Sequence, residues 1–324
     1  MFSVIIPLYN KAPYVEKAIN SVLSQTYREF ELIVVNDGST DDSLNVVQTF
    51  FKSPLGNLGA FSPSLGGWGV LTQSNLGVSI ARNNGVKVAQ YDYIAFLDAD
   101  DWWEPTYLEE MKLLIEEFPQ AGIYGSGYFL IKNGVKRIAP VGVERTFKKG
   151  EINYCRTYSN TLCMPLWTGS TIIRKTIFES EHGFKPTLKL GEDFDLWIRV
   201  VQKYPVVILN KPLSNYNQDV ELANRAIGEK LYEPYEHMLF TDYGALQSNP
   251  EFRYLYEQLA LYGLLPYYLT GKNEKEVKLI LSGINWKDHA FKYRLYYKIL
   301  PIVIVQFWMH FLKIGSIVKQ KMLT

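Results

Sequence analysis

Four short apolar runs, at residues 3–8 (SVIIPL), 30–36 (FELIVVN), 70–73 and 93–97 (YIAFL), alternate with segments of helical spacing, and this alternation constrains the fold more than anything else in the chain. Between the first two runs, Val15, Ala18, Ile19, Val22 and Leu23 fall on one face of a helix, and Pro13 suits its first turn. After the sequence DGST, Ser39 and Asp42 have the spacing of a capping box for a second helix. A third helix is predicted near 78–90. Nearly all-apolar strands are buried on both faces, and parallel neighbours need a crossover to join them. The N-terminal half therefore reads as a doubly wound α/β unit.

Further along, GIYGSGYFLIK, the turn Asn133-Gly134 and VKRIAP predict a β-hairpin over 122–140. A strand is expected at 166–174 and a helix at 193–203. The 17 residues from Ser53 to Gly69 carry no charge and ten Gly, Pro or Ser, so they read as a long loop: a tolerated insertion, or a lid or acceptor contact. After about residue 219 strand signals fade into Tyr-rich and Leu-rich helical patterns. The expected division is a catalytic domain at 1–219 and a helical accessory region at 220–324.

Charge excludes one class of function. The chain's 34 Lys and Arg against 33 Asp and Glu leave a net charge of +1, which argues against a protein that binds nucleic acid through bulk charge. The balance is uneven, because residues 285–324 hold seven basic side chains and one acid, +6, and the rest of the chain is −5. Cys155 and Cys163 have no Cys or His at metal-ligand spacing beside them, which speaks against a disulfide framework or zinc site and suits a reducing, cytoplasmic compartment. The N-terminus lacks a basic n-region and its apolar run stops at Pro7, so it reads as a strand and not a signal peptide.

The chemistry concentrates where strands end. IAFLDADDW is an apolar strand that finishes in Asp98, Asp100 and Asp101. Ligands of open α/β sheets bind beyond the carboxyl ends of the strands. Crowded carboxylates there suit a divalent cation carrying a diphosphate, or else a solvated, helix-capping acidic turn. Pro7, Leu8, Tyr9 and Asn10 end the first strand and Asp37 the second, so all should open on the same edge, offering an aromatic platform and an acceptor for a base. Arg82, on the helix after the third strand, is placed to reach a phosphate or pair with Asp37. Glu192 and Asp193 follow Gly191 at a helix start, where the helix dipole favours an ionised carboxylate, as a general base or a simple helix cap requires.

In this order, SVIIPLYNKAPYVEKAINSVLSQTYREFELIVVNDGSTDDS, NLGVSIARNNG, YIAFLDADDWW and GFKPTLKLGEDFDLWIRV resemble the inverting glycosyltransferases of family 2 over about 200 residues. The resemblance implies the GT-A fold, a doubly wound, Rossmann-like mixed sheet, here followed by a C-terminal helical module. It implies a hexosyltransferase-type enzyme that moves a sugar from a nucleotide-diphosphate sugar, usually a UDP-sugar, to a hydroxyl of a glycan or lipid-linked acceptor in surface polysaccharide assembly. By the same resemblance, Pro7, Leu8, Tyr9, Asn10 and Asp37 hold the base, Arg82 supports that pocket and Asp98 contacts the ribose or the metal shell. Asp100 would ligate Mn²⁺ or Mg²⁺, and Asp193 would be the base. Asp101, Glu192 and Trp197 are motif neighbours, candidates for contacts to acceptor or donor sugar. The chain departs from the family where many members carry a His or Arg for the metal or diphosphate; here that stretch reads Tyr216, Asn217, Gln218. The alternative is a catalytically weakened sugar-nucleotide or carbohydrate-binding protein of the same fold. A dehydrogenase would need a Gly-rich turn after the first strand, where PLYNKAP stands.

The segment KYRLYYKILPIVIVQFWMHFLKIGSIVKQK joins basic flanks to an apolar centre with Trp308. Its longest apolar stretch, 14 residues between Lys298 and Lys313, is interrupted by Pro301, Gln306 and His310 and falls short of the roughly 20 that span a bilayer. It suits peripheral contact with the inner face of the cytoplasmic membrane, or packing against the catalytic domain or a homodimer partner.

Overall fold

The computed structural model describes residues 1–51, 68–220 and 231–309. The loop expected at 53–69 lies outside the described residues except for its last two, and so does the tail beyond 309. The chain divides into two compact units, Met1–Gly228 and Glu229–Thr324.

The first unit is a ten-stranded mixed sheet with helices. Its N-terminal part runs β1 (Phe2–Leu8), α1 (Val15–Leu23), β2 (Phe30–Asp37), α2 (Ser43–Phe51), β3 (Trp68–Gln73), α3 (Val78–Val88) and β4 (Tyr93–Phe96). Then come β5 (Trp102–Trp103), α4 (Tyr107–Glu117), β6 (Ile123–Lys132), β7 (Val135–Ile138), β8 (Lys149–Ile152), α5 (Tyr154–Thr161), β9 (Thr171–Arg174), α6 (Lys175–Ser180), α7 (Glu192–Val201) and β10 (Val206–Asn217). Every residue of β1 and β2 is buried, in keeping with their nearly all-apolar character.

The spatial order is β3-β2-β1-β4-β9-β6-β10-β5, with β7 on β6 and β8 on β10. β3, β2, β1 and β4 are parallel; β9 is antiparallel to both β4 and β6. The chain moves outward from β1 to β2 to β3, then crosses to β4 on the other side of β1. That reversal opens a crevice at the carboxyl ends of β1 and β4, the place where such sheets take ligands.

The hairpin forms as its Asn-Gly turn predicts, with φ of 53° at Asn133 and 69° at Gly134. Two local expectations fail, and one short strand was not expected. The Ser39–Asp42 capping box does not form; Asp41 accepts the Ser43 amide at 3.0 Å, and the Ser39 hydroxyl instead accepts the Asn10 amide at 3.2 Å. The strand expected at 166–174 begins as a 3₁₀ turn, Thr168–Ser170, because the Ser170 and Thr171 hydroxyls both donate to the Trp167 carbonyl and close the chain on itself. The two-residue β5, paired with Ser214 and Asn215, has no signal in the acidic stretch before it.

α3 lies so close to β1 and β2 that a Cβ on Gly85 would stand 2.6 Å from Ile5 Cγ2 and 3.2 Å from Val35 Cγ2. Gly85→Val is expected to overpack this contact and lower stability by about 1–3 kcal/mol, read as a reduced midpoint in urea unfolding.

The second unit is helical: α8 (Pro250–Gly263), α9 (Leu265–Thr270), α10 (Glu274–Ser282) and α11 (Phe291–Arg294), with 3₁₀ turns before α8. Asn249 caps α8 by accepting the Glu251 and Phe252 amides. Phe252, Leu255, Ala260, Leu261 and Leu264 form the buried side of this unit. His237 is buried there, and desolvation pulls its pKa down to about 4.

Candidate active site at the carboxyl edge of the sheet

The loops after β1 and β2 are tied together at the crevice. Asn10, in the left-handed region at φ 50°, accepts the Thr40 amide at 2.8 Å through its side chain, and the Lys11 amide donates to the Ser43 hydroxyl at 2.7 Å. Pro7 and Leu8 keep their side chains buried; of the five expected base-pocket residues only Tyr9 offers an exposed ring, 41% accessible.

Asp37 is buried and already engaged. It accepts from Gln73 Nε2 at 2.8 Å and from the Leu76 and Gly77 amides at 2.7 and 2.8 Å, which fixes the chain entering α3. A carboxylate has room for about four hydrogen bonds, so three partners leave one acceptor position.

Arg82 does not pair with Asp37. Its guanidinium donates from Nη2 to Asp98 Oδ1 at 2.7 Å and from Nη1 to Glu192 Oε1 at 2.9 Å, with the Phe184 ring centroid 5.2 Å away. The side chain is 4% exposed. Burial opposes its charge, but Asp98 and Glu192 outweigh that cost and raise its pKa. One rigid fork thus joins the end of β4 to the start of α7.

The three aspartates of the acidic stretch have different surroundings. Asp98 and Asp100 are partly exposed, with side chains 22% and 19% accessible. Asp100 Oδ2 accepts Lys11 Nζ at 2.6 Å. Burial and then Asp98 raise the Asp100 pKa, opposed by Lys11. Asp101 is 1% exposed and faces inward, accepting the Asn217 amide at 2.8 Å and Trp167 Nε1 at 3.2 Å. Burial, then Asp100 and Asp98, push its pKa well above the usual carboxylate range. Asp101 therefore ties β10 and Trp167 to the acidic stretch.

Asp193 sits in the first turn of α7 behind Gly191, whose φ is 79°. Its Oδ1 accepts the Phe194 amide at 2.7 Å and its Oδ2 accepts the Thr168 hydroxyl at 3.1 Å. Burial, then the neighbouring Glu192, raise its pKa to about 7, with Arg82 opposing. A carboxyl poised there can take a proton from a hydroxyl at neutral pH and release it again. Trp197, about one turn along α7 from Asp193, is fully buried against Phe184 at 6.1 Å between ring centroids, so its ring belongs to the core.

Three residues that the sequence did not single out complete the edge. Thr168 holds Asp193, Lys11 holds Asp100, and Trp167 stacks on Tyr216 at 4.0 Å between centroids. Lys11 was legible in principle, being adjacent to Asn10 at a strand end. Thr168 was not, since its relation to Asp193 depends on the antiparallel run of β9.

The residues fit a divalent cation that arrives with a phosphorylated ligand. Among the described residues there is no cluster of three His, Cys, Asp or Glu suited to hold a metal alone. Mg²⁺ and similar hard cations, however, are commonly bound by one or two carboxylates plus substrate phosphates, and Asp98 and Asp100 present such oxygens at the crevice. In the stretch after β10's bulge, Tyr216 stacks on Trp167, the Asn217 side chain accepts the Asp219 amide at 3.0 Å, and the Gln218 amide donates to Ile131 O at 2.8 Å.

The sequence profile of Glycosyl transferase family 2 matches residues 3–179, a stretch that contains Asp37, Arg82, Asp98, Asp100 and Thr168 and ends before Asp193. The amylovoran biosynthesis glycosyltransferase AmsB of Erwinia amylovora is 29% identical over 242 residues, 71% of this chain and 74% of its own. The chain spans 16% and 54% of the length of the first two curated relatives it matches. Among solved structures, residues 1–349 of TarS from S. aureus in complex with UDP-GlcNAc superpose with a TM-score of 0.59 at 19% identity, covering 92% of this chain and 76% of that one. A mannosyltransferase from Pyrobaculum calidifontis, in complex with GDP-Man and Mn²⁺, gives a TM-score of 0.55 at 15% identity, covering 94% and 84%. These likenesses establish the GT-A fold.

Proposed function

The chain belongs to glycosyl transferase family 2, and from that premise we propose that its first unit transfers a sugar from a nucleotide-diphosphate sugar, a UDP-sugar by preference, to an acceptor hydroxyl with inversion at the anomeric carbon. The observation that carries this reading is the single guanidinium of Arg82, which ties Asp98 at the donor edge to Glu192, the chain neighbour of Asp193. A diphosphate crevice and a carboxyl with a pKa near neutrality are thereby held in one fixed relation.

On this reading Tyr9 offers its ring to the base, and the remaining acceptor position of Asp37 takes a ring N–H. Asp98 meets the ribose or the cation's surroundings. Asp193, held by Thr168 and the Phe194 amide, removes the acceptor hydroxyl's proton as that oxygen attacks the anomeric carbon from the face opposite the nucleotide. The bond to the diphosphate oxygen breaks as the new glycosidic bond forms, and the nucleoside diphosphate leaves. Asp100, with Asp98 near it, would hold Mn²⁺ or Mg²⁺, which when bound offsets the charge growing on the leaving diphosphate. Lys11 and Arg82 keep the carboxylates from repelling one another before the donor arrives. The acceptor is a hydroxyl of a glycan or of a lipid-linked glycan of surface polysaccharide assembly.

Two measurements test this. Adding UDP-GlcNAc and other UDP-sugars with Mn²⁺ and a panel of acceptors should release UDP and give an inverted product by NMR; donor binding with no release under any acceptor would favour the binding-protein alternative. Asp100→Ala is expected to weaken UDP binding in Mn²⁺ by roughly tenfold or more, about 1.4 kcal/mol, while binding in chelator changes little. Equal affinities for wild type and variant in Mn²⁺, read by calorimetry, would remove Asp100 from the metal site.

A further inference from the structure

The second unit carries a surface that sugar transfer does not explain. Residues 302–309 are helical, and Val305 is the one fully buried side chain among them. Val303 is 72% exposed, Phe307 74%, Ile304 51%, Trp308 51% and Ile302 41%, and Ile299 just before them 56%. A surface helix ordinarily turns its apolar side inward and its polar side to water. This one is apolar on the water side as well. Single exposed apolar residues are common, but a contiguous group of this size marks a surface that something covers.

We propose that this face is a docking surface for an anionic lipid bilayer. The choice of occupant follows from charge. The 40 residues from 285 to 324 carry seven Lys or Arg and one acid, in a chain whose remainder is −5. Lys298, which directly precedes Ile299 in the chain, and Lys292 are both exposed. A second copy docked through the same patch would bring this positive charge against itself, and lysines are depleted from the cores of protein interfaces. A negatively charged leaflet instead gains from each base, while Trp308 and Phe307 enter the boundary between headgroups and acyl chains. The apolar stretch between Lys298 and Lys313 is 14 residues against the roughly 20 needed to span, and among the described residues no helix is long and apolar enough to cross a membrane. The segment therefore lies on the bilayer. Docking here puts the chain on the surface where a lipid-linked acceptor resides, yet the inference stands on the patch alone and not on catalysis.

Vesicle sedimentation with the full chain tests it. Wild type should pellet with vesicles of phosphatidylglycerol and phosphatidylcholine, much less with phosphatidylcholine alone, and less at high salt. The exposed-site variant Phe307→Glu with Trp308→Glu should lose roughly tenfold or more of the binding, and Lys292→Glu with Lys298→Glu should lose the preference for anionic vesicles. Both variants should bind UDP like wild type, which separates this result from any failure of the transfer assignment. Independently, brominated lipids should quench the wild-type tryptophan fluorescence. No pelleting and no quenching, or pelleting equal for both lipid compositions, would overturn the proposal. So would a dimer of the wild type, seen by light scattering, that the Phe307/Trp308 variant abolishes.

Discussion

Asp193→Asn is expected to lower sugar transfer by about 10²- to 10⁴-fold while leaving nucleotide affinity nearly unchanged. The amide keeps the shape of the carboxyl: its oxygen can still accept the Phe194 amide, and its nitrogen can donate to the Thr168 hydroxyl, which rotates to accept. What is lost is the ability to take a proton. The pH dependence follows with a definite sign. Burial and Glu192 lift the Asp193 pKa to about 7, so the basic form is scarce below that value and predominant above it. Wild-type kcat/KM should therefore climb with pH through about 7 and level off, and the residual activity of the variant should not show that limb. Release of nucleoside diphosphate and calorimetric donor binding, measured across pH, give both readings. Wild-type turnover in the variant would dismiss Asp193 as the base.

Arg82→Met should have the largest effect on stability. Arg82 is 4% exposed and neutralises Asp98 and Glu192, whose side chains are 22% and 15% accessible. Removing one member of a buried ion cluster strands the others, and such losses typically amount to about 3–5 kcal/mol. Against a total stability of roughly 5–15 kcal/mol for a domain, that is a large share. Arg82→Lys should not rescue it, because a single ammonium cannot reproduce two N–H groups aimed at two carboxylates. Denaturant unfolding of the three proteins provides the check. Since Arg82 also draws the Asp193 pKa downward, any activity left in Arg82→Met should rise at higher pH than in wild type. A variant as stable as wild type with the same pH limb would show that the guanidinium bridge is incidental.

The parts of the fold set by short-range pattern were legible in the sequence. β1 and β2 read as buried strands because they are nearly all apolar, and once two strands are parallel their ends must share an edge. That placed Tyr9, Asp37 and Asp98 together. Partners separated by long stretches were not legible. Arg82 lies on the expected helix, but its carboxylates come from 16 and 110 residues further on, and helical spacing alone did not favour them over Asp37. The acidic stretch shows the same boundary. Nothing in the order Asp98, Ala99, Asp100, Asp101 says that the last one turns inward; that follows from the turn in which the Asp101 amide donates to the Asp98 carbonyl at 3.0 Å and from the Asn217 amide waiting on the far strand. Trp197 stands four residues after Asp193, and its burial could be read from the apolar spacing of Phe194, Trp197 and Ile198 as well as from any family likeness.

The reversed direction of β9 has a consequence for how such an enzyme diversifies. Because β9 runs against β4 and β6, the chain reaches the crevice on its way into the strand and not on its way out. The loops after β1, β2 and β4 meet the nucleotide on the proposed reading, whereas α5 and the Trp167–Ser170 turn approach Asp193 from a different stretch of chain. On the proposed reading, substitutions and length changes between residues 154 and 167 would act on the acceptor side without touching the strand ends that meet the donor, so that the two specificities would be separable as inherited units.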